Sequence, residues 1–269
     1  TAGIQGWGEI VPRSYVTGES VNDIFNSAEP VNRLVGLVLD QPFIDQQFLE
    51  RWVDEQLPEF RFQTALFGGV ELALWNALCQ ELELDFDRLL GPVHNRVLGQ
   101  CLTIGFEIET RTLRRHAIAA RLQGANTIKL KIGVDDDIER LRLLDGYLNS
   151  KVPIRVDANG QYDADRAEAF LQACAHTTAL QSFEEPFDRT ADFLPDLLQS
   201  FYQRFGIPFV ADESVCSLED AREWHDKKCF QIFNIRVGKH GGLWAARRLR
   251  DFASQNNLGL LCGSMVGET

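Results

Sequence analysis

Paired cysteines, basic excess, long apolar runs and methionine are all scarce in this 269-residue chain, and each scarcity narrows its nature. Cys79, Cys101, Cys174, Cys216, Cys229 and Cys262 stand singly, with no CxxC spacing. They read as reduced core residues of a cytoplasmic protein. Lysine and arginine total 27 against 39 acidic residues, a formal charge of −12. With no basic stripe to release counterions, neither nucleic acid nor an anionic membrane is expected as the partner, and an anionic substrate must be drawn in by local cations. No signal peptide and no apolar run of transmembrane length is read. Gly238 to Gly242 (GKHGG) has the wrong spacing for a dinucleotide fingerprint. The remaining composition, 45% hydrophobic and 25% charged without low-complexity tracts, is that of an ordinary globular protein with a sizeable core.

The pattern changes once along the chain. Residues 3–10 (GIQGWGEI) read as a strand and Val11 to Ser20 as a polar loop able to move. Helical periodicity follows from Val21 to Phe25, Phe43 to Leu57 and Ala65 to Glu81, the last apolar nearly all round and therefore buried. Trp7 and Trp75 read as packing residues. After Gly91-Pro92, strands expected at 97–104, 127–132, 153–157, 180–184, 208–212, 230–236 and 258–263 alternate with helices at 110–123, 135–149, 163–175, 191–204, 217–227 and 241–256. Seven such repeats point to a parallel barrel, with domains expected at 1–96 and 97–269. A closed barrel takes about eight strands, so the chain is expected to be incomplete at both ends.

Within Thr127-Ile-Lys-Leu-Lys-Ile-Gly133, strand alternation sends Lys129 and Lys131 to one face and Ile128, Leu130 and Ile132 to the other. Two ammonium groups side by side in a partly dry site each ease the other's deprotonation, so one is expected as a free amine near neutral pH. A solvated edge strand is the bland alternative. The next three strands end in Asp157 (VDANG), Glu184 (FEEP) and Asp212 (ADES). In a parallel barrel those ends lie side by side, and three gathered carboxylates need a cation; all-oxygen ligation suits Mg²⁺, or Mn²⁺. Each acid taken alone reads first as a cap of the next helix; three in register after the two lysines do not. Asn159 is a candidate partner for a metal ligand or its water, or a turn residue of Ala-Asn-Gly. Glu185 and Glu213 are expected to point away.

These motifs together, KxK at 129–131, D-A-N at 157–159, E-E-P at 184–186, D-E-S at 212–214 and N-I-x-x-x-K-x-G-G at 234–242, resemble the enolase superfamily in its muconate-lactonizing-enzyme subgroup. The resemblance runs from GWGE at 6–9 to the GSMVGET ending. It implies an α/β fold, a modified (β/α)8 TIM-type barrel with an N-terminal α+β capping domain. It also implies Mg²⁺ held by Asp157, Glu184 and Asp212, Lys131 as the general base, and Lys129 as the neighbour that lowers its pKa. The implied step is removal of a proton α to a carboxylate from a small carboxylate substrate, and the implied assembly is a homo-oligomer. Arg13, Tyr15 and Thr17 of the 11–20 loop, with Ser264, Met265 and Glu268, match substrate-contacting positions; Met265 reads equally as core.

One position departs from the pattern. Where the subgroup places a lysine facing the base, this chain has Arg236, with Lys239 matching a second, non-catalytic lysine. Arginine stays protonated and is a poor proton acceptor. A one-base cycloisomerase or o-succinylbenzoate-synthase-like dehydratase is therefore expected ahead of a racemase or epimerase, with Arg236 steadying anionic charge or bridging barrel carboxylates structurally. A degenerate member with a structural or binding role is the rival outside the enzymes, and a Schiff-base aldolase using Lys131 a distant third.

Overall fold

Apolar runs of three to five residues, bounded by turn residues, form strands covered on one face by helices. The computed structural model describes residues 3–41, 44–91, 98–106, 109–174, 180–190 and 194–265. Its strands are β1 (Cys101–Ile104), β2 (Thr127–Lys131), β3 (Ile154–Asp157), β4 (Leu180–Glu184), β5 (Phe209–Ala211), β6 (Ile232–Ile235) and β7 (Gly259–Cys262). They form one sheet in chain order, parallel at each pairing from β1–β2 to β5–β6. The intervening helices are α6 (Thr110–Leu122), α7 (Asp137–Leu148), α8 (Ala164–Cys174), α9 (Leu194–Phe205), α10 (Leu218–Asp226) and α11 (Leu243–Gln255). Strand and helix in this succession are the α/β arrangement of a (β/α) barrel. Before the sheet come α1 (Val21–Phe25), α2 (Ala28–Leu39), α3 (Gln46–Gln56), a 3₁₀ turn (Leu57–Phe60), α4 (Thr64–Leu82) and α5 (Phe86–Leu90).

The chain divides into two compact units. One is Asn95–Ser214 with Arg222–Phe233. In it the helix-facing residues of the strands, among them Ile128, Leu130, Ile154, Val156, Phe183 and Phe209, are fully buried. Phe183 contacts Tyr162, Phe170 and Phe209 at ring-centroid distances of 5.6, 5.6 and 6.0 Å. Each such side chain removed from water contributes about 1.5–3 kcal/mol. The opposite face is left for polar chemistry.

The other unit is Thr1–His94 with Val215–Ala221 and Asn234–Thr269. Its core gathers Leu34, Val38, Leu49, Trp52, Val53, Phe60, Phe67 and Trp75. Helix α2 has no counterpart among the expected helices; Pro30 falls in its first turn, where a missing N–H costs nothing. Residues 3–10 form no strand. Gly6 and Gly8 instead bring the backbone against α4, so close that a Cβ would stand 2.0 Å from the Ala73 carbonyl or 1.9 Å from that of Gly69. Trp7 donates its N–H to Asn76 and is exposed, so it does not pack as expected. Trp75 does, at 5% exposure. Cys79, Cys174 and Cys229 are buried free thiols, whereas Cys262 is exposed.

Glu71, in the middle of α4, is buried and accepts from Trp75 Nε1 at 2.8 Å, Leu243 N at 3.0 Å and Trp244 N at 2.8 Å. It thereby supplies the acceptor that the first N–H groups of α11 lack, since the cap residue is a glycine. Gly242 is required there, because a Cβ would come within 2.4 Å of Glu71 Oε2. Burial raises the Glu71 carboxyl to about 7 from an ordinary 4.5, outweighing the three donors. A raised folded value means that the proton is held more tightly in the folded chain than in the unfolded one. The stabilisation is therefore complete below pH 4.5 and is lost as pH rises through about 7, amounting to about 3 kcal/mol. Urea unfolding at pH 5 and pH 8 is expected to show this loss in the wild type and its absence in Glu71→Gln.

Candidate active site

The polar face of β2 carries Lys129 and Lys131, while Ile128 and Leu130 are buried on the other face, as the alternation requires. Register then aligns the partners: Lys131 lies opposite Asp157, Asp157 opposite Glu184, and Lys129 opposite Arg155. The Lys129 ammonium stands 2.8 Å from Asp157 Oδ2 and 2.8 Å from Glu184 Oε2. Lys131 Nζ stands 2.9 Å from the same Asp157 oxygen and donates to Asn159 Oδ1. Asn159 holds a left-handed φ of 46° and donates its own N–H to Asp157 Oδ1 at 3.0 Å. Asparagine tolerates that conformation, so the Ala-Asn-Gly turn and the lysine contact are two aspects of one feature.

The two lysines differ. Burial disfavours the Lys129 ammonium, but Glu184 and Asp157 outweigh it and raise its pKa. Asp157 is buried too, which favours its neutral form, yet Lys129 and Lys131 hold its pKa below the ordinary value. The free amine expected from like-charge repulsion is thus not Lys129, because acids from two neighbouring strands supply more attraction than one lysine supplies repulsion. Lys131 is the more open, at 25% side-chain exposure against 13% for Lys129.

Asp212 is fully buried one residue beyond β5. Its N–H donates to Glu185 Oε1 at 2.6 Å, and the same carboxylate takes Ser214 N and Ser214 Oγ at 2.7 Å each. The Glu185 carboxylate has partners that the motif alone did not disclose. At a left-handed φ of 39° it turns back to hold the end of the next strand, which carries Asp212. In E-E-P, one acid faces the site and the other fixes its neighbour.

Among the described residues, no group of three or more His, Cys, Asp and Glu side chains is arranged to hold a metal ion. The donor chemistry nevertheless fits a hard cation. Asp157 and Glu184 are buried oxygen donors at the ends of consecutive strands, and Asp212 is another one residue beyond the next.

The other expected residues belong to the unit with α4. Arg236 is half-buried immediately after β6, and Cγ of its side chain lies 3.1 Å from where a Cβ on Gly263 would stand. Lys239 is fully buried and donates to the Asn234 carbonyl at 2.9 Å, closing the turn after β6. His240, with Nδ1 3.0 Å from the Cys216 carbonyl, is held neutral by burial and by Lys239, its pKa lowered to about 3. In the 11–20 loop, Tyr15 is exposed, Arg13 turns back to the Pro12 carbonyl at 2.6 Å, and Thr17 is buried with its hydroxyl 3.3 Å from the Arg13 carbonyl. Val11 and Val16 pack on buried Met265, and Glu19 accepts from Ala65 N at 2.8 Å and Leu66 N at 2.9 Å, satisfying the start of α4. Ser264 is exposed, and Glu268 lies outside the described residues.

Comparison with known proteins decides the family. The description Enolase C-terminal domain-like fits residues 112–269, more than half of the chain. The chain belongs to the enolase superfamily. Its relatives are of the mandelate racemase and muconate-lactonizing branch. An L-Lys-D/L-Arg epimerase of Methylococcus capsulatus is 30% identical over 98% of this superfamily member and 72% of its own length. An o-succinylbenzoate synthase of Geobacillus stearothermophilus is 29% identical over 98% and 68% respectively. Among solved structures, muconate lactonizing enzyme superposes with a TM-score of 0.83 at 24% identity, over 99% of this chain and 73% of that one. The dipeptide epimerase of Enterococcus faecalis V583, complexed with Mg and L-Leu-L-Tyr, superposes with a TM-score of 0.84 at 23% identity, over 98% and 72%. This enolase-superfamily chain shares the fold of both, and no described helix is long and apolar enough to cross a membrane.

Proposed function

We propose that this chain removes a proton α to a carboxylate, with Lys131 as the base, in a one-base cycloisomerase or syn-dehydratase reaction. Asp157, Glu184 and Asp212 would hold Mg²⁺, which when bound supplies positive charge for the anion that develops on the substrate carboxylate. Support for the metal comes from the buried oxygen donors and from the Mg present in the related epimerase complex. The choice of base rests on the contrast between the lysines: Lys129 is locked between two carboxylates, and Lys131 is the more accessible amine. Asn159 orients that amine through its side-chain oxygen, and Asp157 steadies it whenever it carries the proton.

The one-base reading is carried by Arg236, a fixed cation that cannot take up a proton at biological pH. An epimerase is the second reading, and the relatives favour it as much: the Methylococcus capsulatus enzyme is an epimerase, and so is one from Enterococcus faecalis at 25% identity over 99% of this chain. Ranking the epimerase lower therefore rests on Arg236 alone. Incubation with Mg²⁺ and L-Leu-L-Tyr, the dipeptide of the Enterococcus faecalis complex, in heavy water separates the two. Deuterium at the α-carbon with retained configuration is expected; inversion would establish the epimerase.

A further inference from the structure

Asp137, in the first turn of α7, has a buried carboxylate that faces five donors from three segments. Oδ2 accepts from Gly133 N at 2.7 Å, Val134 N at 3.1 Å, the Tyr162 hydroxyl at 2.7 Å and Arg166 Nη2 at 3.0 Å, while Oδ1 faces Arg140 Nη1 at 3.4 Å. Capping does not explain this residue. The cap of α7 is Asp136, whose side chain makes no cap bond, and the two N–H groups that Asp137 takes precede it in the chain.

What Asp137 grips is the backbone leaving the candidate base. Gly133 and Val134 stand two and three residues after Lys131, and Gly133 adopts a φ of 140° at which a Cβ would strike Gln161 Oε1 at 2.3 Å. Arg140, itself buried, donates to the carbonyl of Lys131 at 3.0 Å and to that of Gly105 at 2.7 Å. Tyr162 and Arg166 arrive from the other side, on the segment that leaves Asp157 and Asn159, and Arg166 also donates to the Val134 carbonyl. One carboxylate thus ties the exit of β2 to the exit of β3, the two strands whose ends supply Lys131, Asp157 and Asn159.

Resting on the reading of Lys131 as the base, we propose that Asp137 is a positioning residue of the proton-transfer site, holding the Lys131 strand end in register with the turn that carries Asp157 and Asn159. Asp137 itself touches none of the reacting atoms. Its effect is on geometry, where a displacement of about 1 Å costs roughly 100-fold in rate.

The test uses the full chain with Mg²⁺, in the variants Asp137→Ala, Asp137→Asn and Tyr162→Phe. Two quantities are read: amide hydrogen exchange at Gly133 and Val134, and the kcat and KM for deuterium incorporation into L-Leu-L-Tyr. In Asp137→Ala the two amides are expected to exchange at least about 10-fold faster. Its kcat should fall about 100-fold while KM stays within about 3-fold. Asp137→Asn keeps an oxygen for the Oδ2 donors and should recover most of both losses, a rescue that a general loss of packing would not give. Tyr162→Phe removes one of the two links to the Asp157 segment, leaving that of Arg166, and should lower kcat about 10-fold with Gly133 and Val134 still protected. A wild-type kcat in Asp137→Ala overturns the proposal. Should that variant not fold, a wild-type kcat in Tyr162→Phe does so. If the wild-type protein incorporates no deuterium, the reading of Lys131 fails separately. Amide exchange then judges the link, and unchanged exchange in Asp137→Ala overturns it.

Discussion

Lys131→Met is expected to lower deuterium incorporation at the substrate α-carbon by about 10²–10⁴-fold, the usual contribution of a positioned general base. Methionine matches the length of the lysine stem and removes the amine, so the site keeps its shape and loses its proton acceptor. Lys131→Arg should fail to a similar degree, because a guanidinium stays protonated. Folding stability should change little, since Lys131 is 25% exposed and Asp157 Oδ2 retains Lys129 at 2.8 Å. Exchange kinetics by NMR, alongside a urea titration, measure both quantities. A variant that exchanges at the wild-type rate would remove Lys131 from the mechanism.

Asp157→Leu is expected to act on stability and metal binding together. The Asp157 side chain is 1% exposed, and its Oδ2 lies 2.8 Å from one ammonium and 2.9 Å from another. Removing the charge leaves Lys129 buried against Glu184 alone, and breaking a buried pair from one side costs about 3–5 kcal/mol. Magnesium affinity, read by calorimetry, should fall by at least about 100-fold, since loss of even an outer partner of a metal ligand costs about 10–100-fold. Unchanged stability would mean that the lysines are satisfied without Asp157. Unchanged Mg²⁺ affinity would remove Asp157 from the metal site.

Several features were legible in the residues because they depend on local periodicity. The seven strands, β1 to β7, fall within the apolar runs that announce them, and Lys129 and Lys131 share a face because strand geometry leaves no other outcome. Parallel register aligns Asp157 with Glu184, two of the acids read at the ends of successive strands. Expectations failed where a partner from elsewhere in the chain decided the matter. Residues 3–10 look like a strand, yet glycines at 6 and 8 allow their backbone to rest on α4. The KxK motif alone does not tell the two lysines apart; Glu184, from a strand more than fifty residues away, pairs with Lys129.

The sequence by itself determined which residues lie on the polar face of β2 and which acids close the following strands, because both follow from a two-residue repeat and the order of elements. Only the tertiary structure decided what Asp137, Glu185 and Glu71 do. Each is one acid among 39 in the chain. Each acquires its role from donors distant in sequence: Tyr162 and Arg166 for the first, Asp212 and Ser214 for the second, Leu243 and Trp244 for the third. A buried carboxylate must find such donors to remain in the interior, and folding alone brings them to it.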